Sequence, residues 1–194
     1  MSATEILGFV TGAASVWLAV RENVWNWPIG IANSAFFLVL FWASHLYANA
    51  LLQILYIALG LYGWWNWLRG GTGRTALSVR RVRRVEAVVL FGATVATAVA
   101  LKFTLDEFTD NSAPLWDGLT VALSLTATYM LTVKVLESWW IWIVTDLIYI
   151  PLCAATHLYL TSVVYGLFLT MCIVGLVKWT RAYRASELDR SAPE

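Results

Sequence analysis

Residues 27–69, WPIGIANSAFFLVLFWASHLYANALLQILYIALGLYGWWNWLR, and residues 139–181, WWIWIVTDLIYIPLCAATHLYLTSVVYGLFLTMCIVGLVKWTR, read as two copies of one segment. Laid over one another without gaps at an offset of 112, they agree at 12 of 43 positions. The apolar bias alone supplies roughly three or four such matches. The identities include Trp27 with Trp139, Ile29 with Ile141, Ile31 with Ile143, Leu40 with Leu152, and the run His45-Leu46-Tyr47 with His157-Leu158-Tyr159. Further along, Leu55 matches Leu167, Gly63 matches Gly175, Trp67 matches Trp179 and Arg69 matches Arg181. The same offset lays residues 5–20 over 117–132 more weakly, with Leu7 on Leu119 and Trp17 on Tyr129.

The medium in which these segments fold follows from composition. The chain has 194 residues, of which 60% are hydrophobic and 13% charged, with a net charge of +1, 12 tryptophans and 4 prolines. Mean hydropathy is +0.68. Soluble domains run near a quarter charged and under half apolar, so a water-soluble enzyme, a disordered tail and a nucleic-acid binder all fit poorly. Apolar runs cover residues 5–20, 27–43, 47–67, 85–103, 115–133, 139–155 and 158–178, each nearly free of charge. A bilayer core about 30 Å thick needs about 20 helical residues per span, and the alternation of a barrel strand is absent. The chain therefore reads as an all-α integral membrane protein of seven spans. Its N-terminus lacks the basic start and cleavage site of a removed signal peptide, so the first span is expected to stay in place.

A three-helix unit reverses its direction across the membrane. Two such units in parallel orientation require one extra span between them, so the repeat predicts a 3 + 1 + 3 arrangement. Residues 1–68 form the first bundle, 69–112 a basic loop and linker helix, 113–180 the second bundle, and 181–194 a polar tail. The linker helix, rich in Ala, Val and Thr, could also carry an oligomer contact. Twelve of the 13 basic residues fall on the side holding the 21–23, 69–84 and 134–138 interruptions and the C-terminus; the other side has only Lys102. Lys and Arg are retained in the cytoplasm during insertion, which predicts an external N-terminus and a cytoplasmic C-terminus. Glu5, Asp106, Glu107, Asp110 and Asp117 fall on the external side.

Paired bundles create a site between them near the bilayer midplane. Asp146 lies seven residues inside the sixth apolar run, roughly 10 Å at 1.5 Å per residue. A carboxylate there costs about 2.5–3.5 kcal/mol on insertion scales, so it is expected to face the bundle interior. Trp142, Asp146 and Tyr149 share one helix face, a stripe suited to a cationic aromatic ligand through stacking, Coulomb attraction and hydrogen bonding. Alternatively, Asp146 bonds a neighbouring Ser, Thr or backbone group, or caps a kink near Pro151. Asn49, Gln53 and Tyr56 form a second stripe in the third run, and Asn33 occupies the second run beside Ser34, the repeat mate of Asp146. These amides suit a polar ligand held from two sides, or serve as interhelical glue.

The remaining features have blander readings. Trp25, Trp27, Trp64, Trp65, Trp67, Trp139, Trp140 and Trp179 fall where an aromatic belt is expected at the inner interface. His45 and His157 suggest a hairpin role, and no His, Cys or carboxylate spacing makes a zinc site. No metal or cofactor is expected. Cys153 and Cys172 read as small buried hydrophobes. The run Arg80-Arg81-Val82-Arg83-Arg84 is explained by topology and anionic headgroups rather than nucleic acid. The chain holds no Walker loop, no G-x-S-x-G and no Ser/His/Asp set, so an enzyme is not expected.

In these residues the chain resembles the PnuC family of bacterial vitamin transporters, best known for nicotinamide riboside uptake. The likeness rests on Trp27-Pro28-Ile29-Gly30-Ile31, on Leu46-Tyr47-Ala48 with Leu52-Gln53-Ile54-Leu55-Tyr56, and on Tyr62-Gly63-Trp64-Trp65-Asn66-Trp67. It extends to Trp139-Trp140-Ile141-Trp142 leading to Asp146, Tyr149 and Pro151, and to Tyr159-Leu160-Thr161-Ser162. The resemblance implies a full-length relative of the SWEET sugar transporters, usually a homotrimer in the bacterial inner membrane. It also implies facilitated diffusion of a small-molecule vitamin, trapped by a cytoplasmic kinase that phosphorylates it. Nicotinamide riboside, a cationic aromatic ring on a sugar, suits Asp146 and Trp142 together with the amides; thiamine or another vitamin or nucleoside is the alternative. A membrane sensor or scaffold that docks a partner on residues 69–84 is the alternative of another class.

Overall fold

A computed structural model describes residues 3–108, 114–155, 157 and 159–191. Asp110 and Leu158, placed above on the external side and in the last span, lie outside the described residues. Within them run seven long α-helices: α1 (Ala3–Val20), α2 (Asn26–Ala43), α3 (Tyr47–Arg69), α4 (Arg84–Phe108), α5 (Pro114–Thr132), α6 (Ser138–Ala155) and α7 (Tyr159–Ser191). Helices satisfy every backbone group internally, which hydrocarbon demands. Four of them, α2, α4, α6 and α7, are long and apolar enough to cross a membrane by length and composition. Helix α5 falls short because its inward face is small and polar: Gly118, Thr120, Ala122, Ser124, Ala127, Met130 and Thr132 are buried. Small residues at helix contacts are how membrane bundles pack closely.

Packing pairs the elements in matched fashion. Helix α2 contacts α1 and α3, α6 contacts α5 and α7, and the two triplets meet through α1 on α7 and α3 on α5. Helix α4 lies outside them against α5, where Thr94 and Thr126 hydroxyls hydrogen-bond at 2.6 Å. Its far side exposes Val85, Val88, Phe91 and Phe103.

Helix ends repeat in the same pairs. Glu22 (φ 53°), His45 (φ 61°), Lys134 (φ 48°) and His157 (φ 60°) are left-handed non-glycine residues, and each follows a helix. At Glu22 the chain closes with Glu22 N to Ala19 O and Asn23 N to Leu18 O; at Lys134 it closes with Lys134 N to Leu131 O and Val135 N to Met130 O. Both are Schellman closures, which satisfy the last carbonyls of the helix. His45 and His157 also hydrogen-bond through Nδ1 to Tyr47 and Tyr159, at 2.9 and 3.1 Å.

Two differences from the sequence expectations stand out. The polar segment after Arg181 continues α7 as helix to Ser191, a 33-residue element about 50 Å long. The basic 69–84 segment is ordered: Val79 is buried, and Arg80 pairs with the strand-like backbone of Lys134 and Leu136. Arg80 makes a two-pronged salt bridge to Glu86 at 2.7 Å, which holds its guanidinium above its ordinary pKa. Arg81 bonds Glu137 at 3.0 Å. Part of the arginine run is thus committed to holding the loop in place rather than left to lipid.

Candidate functional site

A cavity of about 330 Å³ opens between the two triplets, lined from α1, α2, α3, α5, α6 and α7. Of the predicted site residues, Asn33, Tyr56, Trp142 and Asp146 line it. Asp146 is 3% exposed and receives the Cys172 thiol at 3.6 Å. Among the described residues, the four ion pairs join other acids and leave Asp146 out. Asn33 accepts a hydrogen bond from Thr11 Oγ1 at 2.8 Å through its Oδ1, so its amide hydrogens remain for the cavity.

The other predicted residues lie elsewhere. Asn49 is exposed near the start of α3, and Gln53 is half-buried outside the cavity lining. Tyr149 stacks on Tyr165 with ring centroids 4.6 Å apart and planes 4° apart. Through Tyr165, which does line the cavity, it walls the site one layer back. Tyr165, Phe168 and Cys172 escape a search for polar residues, yet they are the repeat mates of Gln53, Tyr56 and Gly60. The internal repeat therefore points to Tyr165 and Phe168 through their predicted mates Gln53 and Tyr56, but by composition neither a phenyl ring nor the Cys172 thiol stands out from core.

Four of the eight tryptophans read above as interfacial anchors are core. Trp27, Trp67, Trp139 and Trp179 are at most 5% exposed. Position along the helix does not separate a lipid-facing indole from an inward one; direction around the helix does. Trp27 meets Trp67 edge-on at 5.5 Å and Trp139 meets Trp179 at 5.4 Å, while Trp67 and Trp179 lie 5.8 Å apart. The bonds are reciprocal. Trp67 Nε1 donates to Leu131 O at 2.9 Å, and Trp179 Nε1 donates to Ala19 O at 3.1 Å. A third link crosses at the same end, from Lys134 Nζ to Glu22 at 2.9 Å, with the ammonium 4.6 Å from the centre of the Trp67 ring. The cavity is therefore closed toward the basic end by a tryptophan cluster and three polar bonds between the triplets.

Buried polar atoms without a protein partner are uncommon in folded chains, so those present point to where something polar can dock. Among the described residues they are Asn26 Oδ1, Trp27 Nε1, Ser138 Oγ and Trp139 Nε1. These are two repeat-related pairs, and Asn26, Trp27 and Trp139 line the cavity. The site thus offers one buried carboxylate and aromatic faces, and behind its lining an amide oxygen and two indole nitrogens that lack a protein partner.

A membrane-embedded cavity of this kind suits passage of a small amphipathic solute, and sequence comparison points the same way. Residues 2–181 match the family described as nicotinamide mononucleotide transporter. The chain belongs to that family. It is accordingly a membrane transporter and not an enzyme, which decides against the sensor or scaffold alternative. Relatives include the nicotinamide riboside transporter PnuC of Escherichia coli, 24% identical over 95% of this chain and 87% of that protein. The riboflavin/roseoflavin transporter RibM of Streptomyces davaonensis is 28% identical over 91% of this chain and 84% of its own length. In fold the chain is similar to the crystal structure of the vitamin B3 transporter PnuC, with a TM-score of 0.71 at 21% identity over 92% of this chain and 81% of that one.

Proposed function

We propose that this transporter carries nicotinamide riboside by facilitated diffusion. The observation that carries the reading is Asp146, a buried carboxylate outside every ion pair described, lining a cavity beside Trp142. A permanently cationic pyridinium supplies the missing countercharge and stacks on an indole. The ribose hydroxyls find the Asn33 amide. Asn49, Gln53 and Tyr149 act at a distance or in another state of the cycle. Calorimetry of the purified protein against nicotinamide riboside, thiamine, riboflavin and an uncharged nucleoside tests this directly. Preference for the riboside, with binding lowered tenfold or more in Asp146→Asn, is expected; unchanged affinity in that variant sinks the site.

The 28% identity to RibM supports a second reading, riboflavin. Its flat ring is neutral, so its binding should be indifferent to Asp146→Asn, which separates the two.

In this reading the bundles α1–α3 and α5–α7 form a SWEET-like 3 + 1 + 3 repeat about a pseudo-two-fold axis, with α4 as linker. Support comes from the matched φ values, the reciprocal indole bonds, and the Lys134–Glu22 pair between residues 112 apart. Contact between two repeat-equivalent residues requires both to stand beside the axis. The chain resides in the bacterial inner membrane, with the basic end in the cytoplasm. Rocking of the bundles alternates access, and phosphorylation by a cytoplasmic kinase makes uptake one-way. In a homotrimer, the apolar outer face of α4 is the surface left for a second copy.

A further inference from the structure

A second cavity lies at the basic end, apart from the transport site. It measures about 480 Å³, between the start of α6 and residues 176–184 of α7, and Arg81, Glu137, Trp140, Val177, Arg181 and Arg184 are among its lining residues. Two properties distinguish it. Its charge is unbalanced: the one lining acid, Glu137, is already bonded by Arg81 Nε at 3.0 Å and by Val82 N at 2.9 Å. Among the described residues, Arg181 and Arg184 are therefore left without an anion in the groove. Its wall is apolar on the lipid side, where Trp140 is 56% and Val177 44% exposed.

Comparison with the first triplet shows that this groove is particular to the second. At the equivalent place, Trp64 and Trp65 stand where Leu176 and Val177 stand here, and Arg69 stands for Arg181. The Arg69 guanidinium lies 4.8 Å from the centre of the Trp65 ring. One triplet thus covers its arginine with its own indole; the other, with a valine there, leaves the arginine facing an open groove. The extension of α7 as helix to Ser191 is what sets Arg181 and Arg184 one turn apart on one face.

We infer that this groove binds an anionic phospholipid, with the headgroup phosphate between Arg181 and Arg184 and an acyl chain along Trp140 and Val177. A guanidinium pair matches the oxygens of a phosphodiester. Basic pockets between helices at the headgroup level are suited to such lipids. The apolar wall distinguishes a lipid from a free phosphate, which has no use for it.

Native mass spectrometry of the full chain, extracted from vesicles of equimolar phosphatidylglycerol and phosphatidylcholine, tests the inference. Wild type should retain phosphatidylglycerol in preference to phosphatidylcholine. The double variant Arg181→Gln/Arg184→Gln should lower that preference by about fivefold per arginine. Val177→Trp, which copies the first triplet and keeps both charges, should also abolish retention. Lys178→Gln, a basic residue on the same helix that does not line the groove, should leave it unchanged. Equal retention of the two lipids, no effect of Val177→Trp, an equal loss in Lys178→Gln, or displacement by inorganic phosphate alone would each overturn a lipid site.

Discussion

Asp146 shows how far one side chain reaches. Burial of a carboxylate among Trp142, Tyr165, Phe168 and Cys172 is costly unless a cation compensates it. Asp146→Asn is therefore expected to make the protein more heat-resistant without ligand while weakening riboside binding tenfold or more, as read by thermal shift and calorimetry on one preparation. Gly63 and Gly175 are a matched pair of another kind. A Cβ at Gly63 would stand 2.4 Å from the Trp27 ring, and one at Gly175 would stand 2.7 Å from the Trp139 ring. Replacement by Ala at either should cost about 1–3 kcal/mol through overpacking, seen as a lower Tm, and the two should be similar because their surroundings are. Asp146 was legible from sequence, because a lone acid in an apolar helix has few explanations. Cys172 and Phe168 were not, because nothing in a small thiol or a phenyl ring distinguishes cavity wall from core.

Helices and their ends divide in the same way. Span number and approximate limits follow from apolar length, and five of the seven helices end within two residues of the expected places. The extension of α4 and α7 past the apolar runs was missed because helix propensity does not stop where hydropathy does. The Glu22–Lys134 link was hidden as well: each residue reads as loop punctuation until the left-handed turns bring the two together. The Lys134 side chain is 8% exposed and that of Glu22 30%, so removing the acid strands the more buried charge. Glu22→Gln should thus destabilise by about 1–3 kcal/mol. It should also loosen the basic end, so that in Cys153→Ser protein Cys172 alkylation in inverted vesicles should rise relative to the parent. Equal labelling in parent and variant would show that this pair does not hold that end closed.

Taken whole, the molecule is two similar bundles tied by polar bonds at one end. At the other, α1 and α7 meet through aromatic contact, Phe9 against Phe168 at 5.8 Å. If transport is the facilitated diffusion proposed above, uptake into proteoliposomes should need no ATP and no ion gradient and should stop when concentrations equalise; accumulation against a gradient without a kinase would contradict it. Composition and period determined the membrane class, the seven helices and the internal likeness of residues 27–69 and 139–181, because hydrocarbon imposes length, apolarity and closed backbone bonding on every span. Which indoles are anchors and which are core, which polar residues share one cavity, and where an arginine is left facing a groove were decided only by tertiary structure. Those properties depend on the rotation of each helix about its axis and on the neighbour it meets, and a one-dimensional pattern carries no information about the neighbour.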